Sequence, residues 1–304
     1  MNQLLKDEIV AGLKSSIPFI SPKFFYDDIG SRLFEVITLL EEYYPTRVEK
    51  SIMKMYEHQI VSAVGTCDVF LDLGAGNCEK ASELFDSVKP QQYLALDISK
   101  DFLESAITDL QQRFPHIKMT AEVCDLSQPL NFPNLVNKKK TFFYPGSSIG
   151  NFHPDHVSSF FKNITTICDG SGGLLIGVDL VKDSQVLQKA YDDSLGVTAA
   201  FNLNALLHIN QILGSNFDLA DWEHFAIFNE SESRIEMHLR ALRDVQITLP
   251  DDSLSFKAGK MIHTENSYKY TKDSFTNLLI EAGFKNVETW TDPKEYFLVC
   301  YAKA

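Results

Sequence analysis

Between residues 68 and 182, short continuous apolar runs alternate with stretches of helical period. The runs lie at 68–73, 92–97, 141–146 and 172–179, and Lys118-Met-Thr-Ala-Glu-Val-Cys124, ending at Asp125, is a further strand. Between them the apolar positions move to a 3.6 repeat, at about 79–88, at 100–114 through Phe102, Leu103, Ala106 and Leu110, and at Val157, Phe160, Phe161 and Ile164. Runs of this length without polar alternation are strands buried on both faces. Their regular exchange with helices predicts an α/β chain with a doubly wound parallel sheet.

The rhythm stops at Lys182. Residues 183–213 read as helical, and then the period drops to two, with Ile235, Met237, Leu239 and Ala241 on one side of a strand over 234–242. Val245, Ile247 and Leu249 repeat that pattern, and 260–268 is a further strand. This predicts an antiparallel sheet, with helices, inserted into the parallel one. From Thr271 the βα logic resumes with a helix through Phe275, Leu278, Leu279 and Ala282, a stop at Gly283, and closing strands at 288–290 and 296–301. The expected division is 46–182 plus 269–304 for the sheet domain and 1–45 plus 183–268 for an α+β domain. Leu5, Ile9 and Leu13 predict an amphipathic helix over 2–15, and 47–64 reads as another helix. Between them the aromatic-rich stretch 21–47 is expected to lack a long regular element, because Gly30, Pro45 and acidic pairs interrupt it.

Composition narrows the partners. The 304 residues are 44% hydrophobic, enough for a sizeable core, and 28 basic against 41 acidic side chains leave a formal charge of −13. Such a surface repels phosphate backbones, so nucleic acid is not an expected partner. Lys138-Lys139-Lys140, the only basic run, reads as a solvated loop. The five cysteines show no C-x-x-C or Cys/His ligand spacing, so neither a disulfide framework nor a metal is expected. No stretch approaches the ~20 apolar residues of a membrane span, and the opening residues lack a signal-peptide pattern, so a cytoplasmic location is expected.

The chemistry centres on Asp72-Leu-Gly-Ala-Gly76, where a buried strand meets a tight turn and a helix start, an arrangement expected to present backbone N–H groups to a ligand. A dinucleotide site requires a third glycine three residues after Gly76, and this chain has Glu79 there. Asp97 and Asp125 end the next two strands, suited to ribose hydroxyls and an exocyclic adenine amine. A glycine turn crowded by acids fits a cationic nucleoside, S-adenosylmethionine, better than a pyrophosphate, although an NAD-dependent dehydrogenase is the competing reading. His153-Pro-Asp-His156 opens a helix and reads as a cap rather than a ligand pair. Cys78 reads as a small, partly buried side chain.

Over essentially its whole length the chain resembles the histidine-specific Nα-methyltransferases of ergothioneine synthesis. The resemblance is carried by Lys23-Phe-Phe-Tyr-Asp-Asp-Ile-Gly-Ser31, Glu42-Tyr-Tyr-Pro-Thr-Arg47, Leu73-Gly-Ala-Gly-Asn-Cys-Glu-Lys80 and Gly146-Ser-Ser-Ile-Gly-Asn151. Asp179-Leu-Val-Lys-Asp183, Ala190-Tyr-Asp-Asp193, Gly196-Val-Thr-Ala-Ala-Phe-Asn202, Arg234-Ile-Glu-Met237 and Trp290-Thr-Asp-Pro293 add to it, in the same order. It implies a Rossmann-like methyltransferase sheet with an inserted α+β substrate-binding domain, acting as a monomer. The implied reaction places three methyl groups on the α-amine of L-histidine, giving hercynine. The resemblance implies that Tyr26, Gly74, Gly76, Lys80, Asp97, Asp125 and Leu126 hold S-adenosylmethionine. It assigns Asn151 and Tyr191 to the substrate's carboxylate and amine, Phe34, Tyr43, Met237, Glu265 and Ser267 to its side chain, and Gly146 to the substrate as well. Tyr26 and Asn151 are the implied catalytic pair. Glu265 and Ser267, two apart on a strand, point to one face, as two partners of an imidazole must. Asn77-Cys78 in the glycine turn, and Asn266 and Tyr268 beside the Glu/Ser pair, depart from the family pattern. Methylation of a tryptophan- or tyrosine-type amino acid, and a non-catalytic module that binds the cofactor or a betaine, are the alternatives.

Overall fold

The computed structural model describes residues 3–249 and 252–304, and residue 2, where the first helix is expected to begin, lies outside them. Twelve strands follow one another in the described chain: β1 (Val69–Leu73), β2 (Gln92–Asp97), β3 (Lys118–Val123), β4 (Lys140–Tyr144), β5 (Gly172–Asp179), β6 (Trp222–Asn229), β7 (Arg234–Ala241), β8 (Val245–Thr248), β9 (Ser253–Phe256), β10 (Met261–Tyr268), β11 (Asn286–Thr291) and β12 (Phe297–Lys303). They divide between two compact units, an inserted unit within Met1–Tyr44 and Lys182–Ser267 and a sheet unit of Pro45–Val181 and Tyr268–Ala304.

In the sheet unit seven strands lie in the order β3-β2-β1-β4-β5-β12-β11. The pairs β1–β2, β1–β4, β2–β3 and β4–β5 are parallel. β12 runs antiparallel to both of its neighbours. β1, β4 and β5 are buried at every position, as their continuous apolar runs require. Successive residues point to opposite faces. Val69, Leu71 and Leu73 therefore join one core layer with Val157, Phe161 and Ile164 of the helix Pro154–Cys168 and with Phe275 and Leu279. Phe70 joins the other layer, with Ile52, Ile60, Leu103 and Leu110. Each such aliphatic side chain contributes about 1.5–3 kcal/mol by leaving water. This is a Rossmann-like doubly wound sheet. Chain order reverses between β1 and β4, and the crevice at the carboxyl ends of such strands is where a sheet of this kind takes its ligand.

The lysine run is not the solvated loop its charge suggests. Lys140 opens β4 and is 3% exposed. Its ammonium donates to the Lys138 carbonyl at 2.9 Å, while Lys138 reaches Gln92 and Lys139 reaches the Val64 carbonyl. A lysine stem is apolar enough to be buried while its head still finds an oxygen.

The inserted unit combines a three-stranded sheet, β10-β7-β6, with a separate pair, β8-β9. The alternation in β7 buries Ile235, Met237, Leu239 and Ala241. β6 escapes a period-two reading because Phe225 and Ile227 are apolar on one face and Ala226 and Phe228 on the other. Val245 and Ile247 do not extend the inserted sheet: they lie in β8, which pairs with β9 in a separate two-stranded sheet. Leu206, Ile209 and Leu213 of the helix Val197–Leu213 pack with Ile9, Leu13, Trp222 and Leu239.

A regular helix, Asp28–Leu39, occupies the aromatic-rich stretch expected to be broken. Gly30 sits in its first turn, where its N–H donates to the capping carboxylate of Asp27 at 2.7 Å. Pro45 likewise falls in the first turn of the helix Tyr44–Met55, a position that needs no N–H donor. Both residues are helix starts rather than interruptions. A Cβ on Gly30 would lie 1.7 Å from the Phe25 carbonyl oxygen. Gly30→Ala is therefore expected to cost about 3 kcal/mol of stability by overpacking, read as a lower denaturation midpoint. An unchanged midpoint would show that this close approach relaxes freely. No helix among the described residues is long and apolar enough to cross a membrane.

Candidate active site

In the sheet unit the site grows from the turn after β1. Gly74 and Gly76 have φ of 68° and 51°, a conformation open to glycine at no steric cost. The N–H groups of Gly74 and Ala75 donate to the Leu96 carbonyl at 2.8 and 3.0 Å, that of Gly76 to Asp97 Oδ2 at 2.9 Å, and that of Cys78 to the Ala75 carbonyl at 2.8 Å. The turn is thus closed onto β2 instead of aiming its N–H groups at a ligand. The expected helix over 79–88 is two short pieces, Glu79–Ser82 and Phe85–Val88, so its dipole is slight. Both facts argue against a pyrophosphate seat. A Cβ on Gly76 would meet nothing within 4 Å, so the backbone there is open to an incoming group.

The acids around this turn differ in environment. Asp97 accepts from Gly76 N with one oxygen and from Ser99 N at 3.0 Å with the other, leaving acceptor capacity on both. Asp125, just beyond β3, accepts from the Ser127 N–H at 3.0 Å and hydroxyl at 2.6 Å, and its neighbour Leu126 packs against the core. Asp72 is buried, and burial pushes its carboxyl up to about 7 although the Tyr93 hydroxyl donates to Oδ2 at 2.7 Å. Its Oδ1 is buried without a hydrogen-bond partner. Burial also pushes the Cys78 thiol up to about 12, so it is inert at neutral pH.

Lys80 meets a residue that sequence reading missed. Its ammonium lies 2.7 Å from Oε2 of Glu49, whose Oε1 accepts from the Gly146 N–H at 2.8 Å. Gly146, at φ 79°, begins the turn after β4 that leads into the short 3-10 helix Ser148–Asn151. Lys80 and Gly146, assigned to different ligands by the resemblance, are thus joined through one buried carboxylate. His153 caps the helix Pro154–Cys168 by accepting from the Asp155 N–H at 3.4 Å.

The inserted unit gathers aromatic rings. Tyr26 packs on Phe34 with centroids 5.9 Å apart, Phe34 on Tyr43 at 6.2 Å, and Tyr43 on Tyr191 at 6.2 Å. Phe201, within the Gly196-Val-Thr-Ala-Ala-Phe-Asn202 motif, joins them, with ring centroids 5.7 Å from Tyr26 and 6.0 Å from Phe34. The Tyr191 hydroxyl is 2.7 Å from the Ser267 hydroxyl. His224 anchors Tyr191 from behind: its Nε2 donates to the Tyr191 carbonyl at 2.8 Å, and Nδ1 accepts from Asn202 at 2.8 Å. Burial lowers its pKa, which keeps this neutral tautomer at pH 7.

Strand β10 contains a slip that decides which way Glu265 points. His263 Nε2 lies 2.9 Å from Asn266 Oδ1, so side chains three apart share a face and strict alternation is broken between them. Thr264 and Glu265 are consecutive and both buried, and the Thr264 hydroxyl donates to the Met237 carbonyl at 3.0 Å. Glu265 and Ser267, 6% and 2% exposed, accordingly share the face opposite Asn266.

Residues 5–304 match the family described as histidine-specific methyltransferase, SAM-dependent. The histidine N-alpha-methyltransferase of Mycolicibacterium smegmatis is 37% identical over 297 residues, covering 96% of this chain and 92% of that protein. The enzyme of the same name from Mycobacterium tuberculosis is 34% identical, with 95% and 91% covered. Ergothioneine biosynthesis protein 1 of Neurospora crassa is 31% identical over 92% of this chain, which spans 32% of that longer protein. With a Rossmann-like sheet, a glycine turn closed against pyrophosphate and a family match over nearly every residue, the chain belongs to the histidine-specific, S-adenosylmethionine-dependent methyltransferases.

Proposed function

We infer that the protein transfers methyl groups from S-adenosylmethionine to the α-amine of L-histidine, three in succession, giving the betaine hercynine as the first step toward ergothioneine. The observation that supports this best is the buried polar set of the inserted unit, where Glu265 and Ser267 share a face and Ser267 meets Tyr191. An imidazole presents one donor and one acceptor, which a carboxylate and a hydroxyl match. An indole has a single N–H donor and no ring acceptor, so it could match only one of the two. Phe34, Tyr43 and Met237 are assigned to the walls around the ring.

The residues of the sheet unit fit a cationic nucleoside. Gly74, Gly76, Lys80, Asp97, Asp125 and Leu126 are assigned to it, with Tyr26 added from the resemblance. The N–H groups of the turn are spent internally, the space beside Gly76 is open, and Asp97 retains acceptor capacity. When bound, this cofactor supplies a methyl group already activated by a sulfonium, so the protein need not supply a nucleophile. Asn151 and Tyr191 are assigned to holding the substrate's carboxylate and amine, with Gly146 also assigned to the substrate, and such positioning lowers the entropic part of the barrier. The amine must lose its proton before its lone pair can form the new N–C bond as the S–C bond breaks. An amide is too weak a base for this, so the Tyr26 oxygen or solvent takes the proton. Once three methyls are in place the product is permanently cationic, and faces such as Phe34 stabilise it by about 0.5–2 kcal/mol per contact. We place the protein in the cytoplasm as a monomer acting on a small molecule, not on nucleic acid.

Incubation with S-adenosylmethionine and each of the twenty amino acids, followed by product mass, tests this reading. Three added methyls on histidine are expected. Methylation of tryptophan or tyrosine with none on histidine would transfer the chemistry to another substrate, and cofactor binding without any S-adenosylhomocysteine release would make the chain a binding module.

A further inference from the structure

Glu49 lies on the helix Tyr44–Met55 and is 4% exposed, yet it lies outside the family motifs. A buried carboxylate is costly unless each oxygen is paired. Here Oε2 receives the Lys80 ammonium at 2.7 Å and Oε1 the Gly146 N–H at 2.8 Å. The two partners come from opposite sides of the strand-order reversal, Lys80 from the segment after β1 and Gly146 from the turn after β4. The sheet itself makes room for the carboxylate: a Cβ at Gly177 of β5 would lie 2.0 Å from Glu49 Oε1. A Cβ at Gly146 would lie 3.4 Å from the Lys80 ammonium, so lysine and turn are close to each other as well as to Glu49.

We propose that Glu49 is a positioning residue for the cofactor: it holds the Lys80 ammonium and the Gly146 turn in register before the cofactor arrives. The inference rests on the assignment of Lys80 to the cofactor. A lysine has three N–H donors on a flexible stem, and spending one on a buried acceptor fixes where the others point. Lys80 is 41% exposed at its side chain, so without Glu49 it would sample solvent-directed rotamers. Glu49 touches no reacting atom in this scheme.

The test is a double-mutant cycle on the full chain, read by calorimetric titration with S-adenosylhomocysteine and by thermal unfolding. Glu49→Gln keeps the size of the side chain and an acceptor for the Gly146 N–H while removing the charge that holds Lys80. It is expected to raise the dissociation constant about tenfold, within the coupling range of residues in one hydrogen-bonded network. On a Lys80→Met background the same change is expected to have no further effect, an interaction that a purely structural carboxylate would not produce. If Lys80→Met alone leaves affinity within twofold, the assignment of Lys80 fails, and the proposal with it. If Lys80→Met weakens binding but Glu49→Gln does not, or weakens it equally in both backgrounds, the assignment survives and the positioning role is overturned. Should Glu49→Gln fail to fold, Glu49→Asp, too short to span both partners, is expected to give the same coupling pattern.

Discussion

Glu265→Ala is expected to weaken histidine binding by roughly 10- to 100-fold, the 1.5–3 kcal/mol of a hydrogen bond to a charged group. Affinity for the cofactor should remain within about twofold, because the two ligands are assigned to different residues. Glu265→Gln retains an acceptor without the charge, so its loss should be smaller, about tenfold. Calorimetric titration of each variant with histidine and, separately, with S-adenosylhomocysteine measures both quantities. In β10 the His263–Asn266 contact breaks strict alternation and leaves Glu265 and Ser267 on the face opposite Asn266. Equal losses for both ligands would mean that Glu265 supports the fold rather than the substrate. No loss for either would return it to the role of a buried polar residue with a partner inside the protein.

The second large effect concerns stability and pH. Burial raises the Asp72 carboxyl from 3.8 to about 7. The unfolded chain therefore releases this proton near pH 4 while the folded chain keeps it until near pH 7. Because the folded state binds the extra proton in that window, stability falls as pH rises from about 4 to about 7 and is level above. The three-unit difference corresponds to something on the order of 4 kcal/mol. Asp72→Asn removes the titration and keeps an acceptor for the Tyr93 hydroxyl. Its melting temperature should exceed that of the parent at pH 8, and the advantage should shrink toward pH 4. Thermal scans of both proteins across this range decide it: a difference independent of pH would show that Asp72 is ionised at no cost. A residue kept at such expense beside Gly74, with one oxygen unpaired, fits a site where function is retained against stability.

Much of the sheet unit could be read in advance because its signals are local. β1, β2, β4 and β5 are short apolar runs ended by glycines or acids, and that pattern survives without knowledge of what packs on it. The glycine turn and the acids at 97 and 125 were visible for the same reason. The inserted unit was harder. β6 is apolar on both faces, so its period carries no signal, and β8 shares the alternation of β7 although it belongs to another sheet. Gly30 and Pro45 suggested breaks because residue type alone does not distinguish a first turn from a helix interior. Lys140 suggested solvent because charge alone does not report the carbonyl that receives it.

Residue order by itself determined the βα alternation, the position of the glycine turn and, through the chain of motifs, the family. Each of these depends on neighbours within a few positions or on the succession of segments. Tertiary structure alone decided that the turn spends its N–H groups on β2 and Asp97. It also decided that Phe201 completes the aromatic row and that His224 holds Tyr191. It alone brought Glu49 to a partner 97 residues away. Such contacts join segments by packing. The physical reason is that periodicity specifies which face of an element is buried, whereas a site requires particular atoms from distant elements to converge.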